Sequence, residues 1–220
     1  MQEGFIKEGF AQESLLDETH LKEQKQMESD LNSDTSHQSS VDYLMNWFRK
    51  RSIFVLAYGT GCGAIEMPPT FTSRYDAERL GIRGAATPRQ ADVIIVSGYC
   101  SYKTLRRIIR TYEQMSNPKY VLALGSCTIN GGMYWDSYNT IKKLEEYLPV
   151  DMYVNGCMPR PESILEGFIA LQKEIAEGKA SSWQKYEENY EFYRKNQEAV
   201  LGSKVAPAYD ADWYLYDGGL

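Results

Sequence analysis

Four cysteines stand out for their placement: Cys62, Cys100, Cys127 and Cys157. Each closes a short apolar run and follows a glycine by one or two positions, in YGTGC, VSGYC, LGSC and VNGC. They are separated by 38, 27 and 30 residues. Four thiolates at one locus suit an iron–sulfur cluster or a structural zinc. Structural zinc usually draws on pairs two to four residues apart, and no two cysteines here are closer than 27 residues. A third account leaves some of them as small buried residues, Cys100 foremost, because free cysteine is common in cores. The remaining chemistry is sparse. There is no GKS or GKT phosphate loop, and the two histidines, His20 and His37, lie far from the cysteines in sequence, which removes a Cys–His nucleophile from the core.

The elements that must position the thiols follow one another regularly. SIFVLAYG, ADVIIVSG, KYVLALGS and VDMYVNG read as four strands. Helical stretches follow them: AIEM and SRYDAERLG, then TLRRIIRTYEQM, then the region around SYNTIKKLEEYL, then PESILEGFIALQKEIAEG. Nearly continuous apolar strands are those of a parallel sheet covered on both faces. Strand–helix alternation predicts an α/β fold with right-handed crossovers. In such a sheet the four strand ends share one edge, the edge where open α/β sheets bind ligands. The thiols are therefore expected to gather there.

Around this body lie two different segments. Residues 1–40 carry nine acids against three lysines, the whole of the net charge of −6, and read as an acidic flexible arm. The α/β domain is expected over 41–180, opening with a short amphipathic helix, DYLMNWFRKR, that packs on its own domain or docks near a membrane. Residues 181–220 form an aromatic-rich extension, read as a strap over its own domain or a neighbouring subunit. The body without the arm is charge-neutral and offers no field for nucleic acid. The longest apolar runs fall far short of the roughly 18–20 residues of a spanning helix, and a cytoplasmic location is expected.

At YGTGCGAIEM, TPRQADVIIVSG, GSCTINGGMYWDSYNTI and VDMYVNGCMPRPESILEG the chain resembles the PSST-type (B-type) subunit of NADH–quinone oxidoreductase, respiratory complex I, over about residues 41–178. The resemblance implies a flavodoxin-like three-layer domain with a mainly parallel four-stranded sheet. It implies a terminal [4Fe–4S] cluster that delivers electrons to quinone. Such a chain would sit peripherally on the cytoplasmic face of the membrane, among the quinone-site and membrane subunits of a complex I-type assembly, with no activity of its own. Cys62, Cys127 and Cys157 carry over as ligands. The family has two adjacent cysteines before Ala-Ile-Glu, whereas Gly63 follows Cys62 here. Cys100, on the same predicted sheet edge, is the expected replacement. A non-cysteine fourth ligand, a three-iron cluster or no cluster are the rival outcomes.

Other residues have weaker claims. Arg83, before TPRQ, and Arg89, within it, would favour a reduced cluster, or are ordinary surface arginines. Glu66 would couple protons to electrons, or serve a helix start. Met67 and Phe71 would, by the resemblance, wall a quinone pocket, or simply fill the core. Alternative readings are a related subunit of a membrane-bound hydrogenase, an F420H2 dehydrogenase or a ferredoxin-dependent complex, or a scaffold that has lost its cluster. The CxxC of hydrogenase relatives is absent here, and residues 117–178 match the quinone-reductase branch better.

Overall fold

The computed structural model describes residues 40–202. The acidic arm, apart from its last residue, lies outside the described residues, as do both histidines and the last four aromatics of the tail, Tyr209, Trp213, Tyr214 and Tyr216. The chain divides into two compact units, Met1–Tyr43 and Leu44–Leu220. Of the first, the described residues are the opening turn of helix α1 (Ser40–Arg49).

The second unit is built on five parallel strands: β1 (Ile53–Gly59), β2 (Ile82–Gly84), β3 (Val93–Ser97), β4 (Tyr120–Leu124) and β5 (Met152–Val154), in the order β2-β1-β3-β4-β5. This is the doubly wound flavodoxin-like order. All five residues of β3 and of β4 are buried, which is why VIIVS and YVLAL carry no alternation of polar and apolar residues. The four-stranded expectation is corrected by β2. That strand has only three residues, and Ile82 alone of them is buried. Ile-Arg-Gly is too short and too polar to signal a strand, yet Ile82 pairs with Ile53 and Arg83 with Phe54.

Period-two alternation along the strands sends side chains into two separate cores. One face carries Ile94, Val96, Val121 and Ala123 against Leu105, Ile108 and Ile109 of α3 (Tyr102–Glu113). The other carries Val93, Ile95, Leu122 and Leu124 against Ile164, Phe168 and Leu171 of α5 (Pro161–Glu177), with Met67 of α2 (Gly63–Thr70) beside them. Each large side chain fully buried here contributes about 1.5–3 kcal/mol. Helix α3 starts at a capping box, in which the Ser101 hydroxyl accepts from the Thr104 amide and the Thr104 hydroxyl accepts from the Ser101 amide. Helix α5 starts on Pro161, whose fixed φ suits the first helical position.

The expected helix around SYNTIKKLEEYL is a long irregular segment with one 3-10 turn, Leu144–Glu146. Ile141, Leu144 and Leu148 are buried at helical spacing, but the backbone is tied outward instead. The Ile141 amide donates to the Cys100 carbonyl at 2.9 Å, and the Lys142 ammonium donates to the carbonyls of Tyr134 and Ser137. Tertiary hydrogen bonds here outweigh local propensity. The segment at 182–201 forms α6 (Ser182–Glu188) and α7 (Tyr190–Leu201). The Tyr186 ring is buried in the α3-side core, 5.2 Å from that of Tyr112, and the buried Gln197 amide donates to the Tyr147 carbonyl at 2.9 Å.

Candidate metal centre

The carboxyl ends of β1, β3, β4 and β5 open into four glycine-bearing turns. Hydrogen bonds lock these turns together in pairs. The Thr60 amide donates to the Ser97 carbonyl at 2.9 Å, joining the turns after β1 and β3. The Gly125 amide donates to Val154 and the Ser126 amide to Gly156, joining the turns after β4 and β5. Gly98 has φ of +81° and meets Thr60 so closely that a Cβ would lie 1.8 Å from its carbonyl oxygen, so no other residue fits.

Between these turns lies a small cavity lined by Cys62, Cys127 and Cys157 together with Gly63, Gly98, Tyr99, Gly125, Ser126, Tyr134, Gly156, Met158 and Pro159. Cys62 immediately precedes α2, Cys127 lies in the short helix α4 (Ser126–Ile129), and Cys157 follows Gly156 after β5. Cys62 and Cys157 are exposed and Cys127 half-buried. Burial raises the pKa of the Cys127 thiol, the neighbouring Cys157 adds to that, and the Met133 backbone N–H pulls it back. Gly132 leaves room for this sulfur: a Cβ there would stand 3.1 Å from Cys127 Sγ.

Cys100 is not with them. It is 1 % exposed and belongs to the α3-side core, across the sheet from the core that Met67 of α2 enters. Its sulfur lies 3.6 Å from the Thr104 hydroxyl and 3.8 Å from the Ser101 carbonyl. Desolvation pushes its pKa up to about 11. Cys100, the residue expected to take the place of the missing ligand, is thus absent from the lining that the other three cysteines share. The residue does follow β3 at the same sheet edge, but Tyr99 occupies the cavity side of that turn and Cys100 turns into the core.

The remaining candidates also lie apart from the cavity lining. Met67 is 5 % exposed in the α5-side core, and Phe71 packs partly buried against it. Glu66 is half-buried on α2, and its carbonyl accepts from the Thr70 hydroxyl. Arg83 and Arg89 are exposed, on β2 and on the 3-10 turn Pro88–Gln90. Tyr99, Tyr134 and Met158 were not singled out from the sequence. Tyr99 and Tyr134 pair with ring centroids 5.0 Å apart at the cavity. Their one sequence signal is adjacency, since Tyr99 and Met158 each neighbour a cysteine.

Among the described residues, no group of three or more His, Cys, Asp or Glu side chains stands close enough to grip a single metal ion. A zinc bound at 2.0–2.3 Å needs such a group. An iron–sulfur cluster is several atoms across, so its thiolates stand further apart than those of one ion. Of the described residues at this cavity, Cys62, Cys127 and Cys157 are the soft donors that would hold such a cluster.

The family described as NADH ubiquinone oxidoreductase, 20 Kd subunit, matches residues 60–171, a span that includes all four cysteines. The chain is 46% identical over 138 residues to the B-type subunit of NADH-quinone oxidoreductase from Chlorobium phaeobacteroides, covering 62% of this chain and 73% of that protein. It is 42% identical over 162 residues to the K-type subunit of the chloroplastic NAD(P)H-quinone oxidoreductase from Fagopyrum esculentum subsp. ancestrale, covering 73% and 69%. Among solved structures, a chain of an archaeal respiratory membrane complex, the membrane-bound sulfane sulfur reductase, superposes with a TM-score of 0.72 at 52% identity, covering 80% of this chain and 99% of that one. The chain belongs to the family of the NADH ubiquinone oxidoreductase 20 Kd subunit.

Proposed function

We propose that this chain is the electron-transfer subunit of a complex I-type oxidoreductase, holding a [4Fe–4S] cluster through Cys62, Cys127 and Cys157 and passing electrons from it to quinone. The observation that carries the reading is the meeting of three thiols, remote in sequence, at one cavity on the carboxyl edge of the sheet. The cluster would supply the one-electron chemistry. The chain's own residues hold the thiols on turns braced by Thr60, Gly125 and Ser126, beside the side chains of Tyr99, Tyr134, Met158 and Pro159. Solvent exposure and hydrogen bonds such as that from the Met133 N–H to Cys127 are the levers by which a protein sets a cluster's potential.

The assembly in this reading is membrane-bound and the chain peripheral to it, on the cytoplasmic face, with no activity on its own. No helix among the described residues is long and apolar enough to cross a membrane. Helix α1 exposes Leu44, Met45 and Phe48, an apolar surface suited to a membrane subunit. Glu66, on α2, and Phe71, just after it, are the candidates for coupling to quinone in a neighbouring subunit.

The test is reoxidation of the reduced centre. In the anaerobically purified complex, a short-chain quinone should abolish the reduced cluster's EPR signal within one turnover; persistence of the signal would remove quinone as acceptor. A second reading keeps the cluster and changes the acceptor. It is favoured by the 52% identity to a chain of the sulfane sulfur reductase, above that to the quinone-reductase relatives described. Reoxidation by an organic trisulfide and not by quinone would establish it.

A further inference from the structure

We propose that the iron–sulfur centre of this chain has only three protein thiolates, and that its fourth corner takes a small exchangeable donor from solution, of the thiolate class. This rests on the reading above that the cavity holds a cluster, and concerns how it is held.

Three independent features leave no fourth strong donor at the cavity among the described residues. The first is Gly63. A Cβ on this residue would lie 2.6 Å from the Gly98 amide nitrogen and 2.8 Å from both the carbonyl carbon and the Cβ of Ser97. The end of β3 fills the space a side chain would need, so the glycine is part of the packing and not a gap beside the cluster. The second is Cys100, whose sulfur is buried in the other core beside Thr104. Bringing it to the cavity requires unmaking the start of α3, because Ser101 is that helix's cap and the Cys100 carbonyl holds the Ile141 amide. The third is the lining itself. Apart from its three cysteines, the cavity offers Ser126, Tyr99, Tyr134 and Met158 as side-chain donors. The Ser126 hydroxyl donates to the Gly156 carbonyl at 3.2 Å. Phenols and hydroxyls must lose a proton to bind iron firmly, and a thioether is a weak donor.

Iron in a sulfide cluster prefers soft anionic donors. A cluster held by Cys62, Cys127 and Cys157 alone would therefore offer one position to a thiolate or hydrosulfide. Exchange there replaces one lone-pair donor by another. The incoming thiol gives its proton to solvent, and no electron changes hands.

The experiment uses the intact, anaerobically purified complex, reduced with dithionite, and reads iron content and EPR g-values. Cys100→Ala and Cys100→Ser should leave both unchanged, whereas Cys62→Ser, Cys127→Ser and Cys157→Ser should each lose the signal or iron. Added 2-mercaptoethanol should shift the g-values of the unmodified complex reversibly. Altered g-values or lost iron in both Cys100 variants would overturn the proposal. So would a spectrum indifferent to saturating thiol, which would mean a fixed fourth ligand. A complex with no iron at all would sink the cluster reading itself, an outcome distinct from these.

Discussion

Gly63 and Gly98 approach each other so closely that a methyl group on the first would stand 2.6 Å from the amide nitrogen of the second. The contact joins the start of α2 to the turn after β3, and so fixes where Cys62 sits relative to the rest of the edge. Gly63→Ala is expected to destabilise the protein by about 1–3 kcal/mol, the usual cost of overpacking, read as a lower unfolding midpoint. Gly63→Cys recreates the family's adjacent pair in sequence. It is expected to destabilise at least as much, because its Cβ meets the same backbone atoms.

Cys100 differs from its three counterparts in reactivity. In metal-stripped native protein at pH 8, iodoacetamide should label Cys62 and Cys157, which are exposed, and leave Cys100 untouched until denaturant is added. Burial raises the Cys100 pKa from 9.0 to about 11, so the folded state keeps a proton that the unfolded state releases between those values. Its contribution to stability is present below pH 9 and is lost as pH rises towards 11. Mass spectrometry of the labelled peptides checks the first statement. Cys100→Ala, which flattens stability against pH in that window, checks the second.

Asp151 ties the C-terminal helices to the sheet. Its carboxylate accepts from the Val121 amide at 2.8 Å, the Ser182 amide at 3.3 Å and the Ser182 hydroxyl at 2.5 Å. Asp151→Ala strands these donors and should cost about 2–3 kcal/mol in denaturant unfolding. Desolvation outweighs those bonds and raises the carboxyl's pKa. The folded state therefore holds its proton more firmly than the unfolded one, and stability falls as pH rises through the carboxylate range. Asp151→Asn should remove that slope.

The sequence displayed the sheet and the thiols to different degrees. Four strands were legible because VIIVS and YVLAL are buried on both faces and carry unbroken apolar runs. The edge strand at Ile82 was not, since an edge needs little burial. The buried spacing of Ile141, Leu144 and Leu148 imitated a helix, and only the tertiary bonds of Lys142 and Cys100 show the chain to be irregular there. At the site, sheet topology was enough to bring Cys62, Cys127 and Cys157 to one edge. It was not enough for Cys100, because the turn after β3 gives Tyr99 to the cavity and Cys100 to the core. Strand counting does not register which residue of a turn faces which side.

The most direct measurement is iron and acid-labile sulfide in protein purified without oxygen. About four irons and four sulfides per chain are predicted, as for a [4Fe–4S] centre, falling to background in Cys127→Ser. Protein that is folded, assembled and free of both elements would contradict the account.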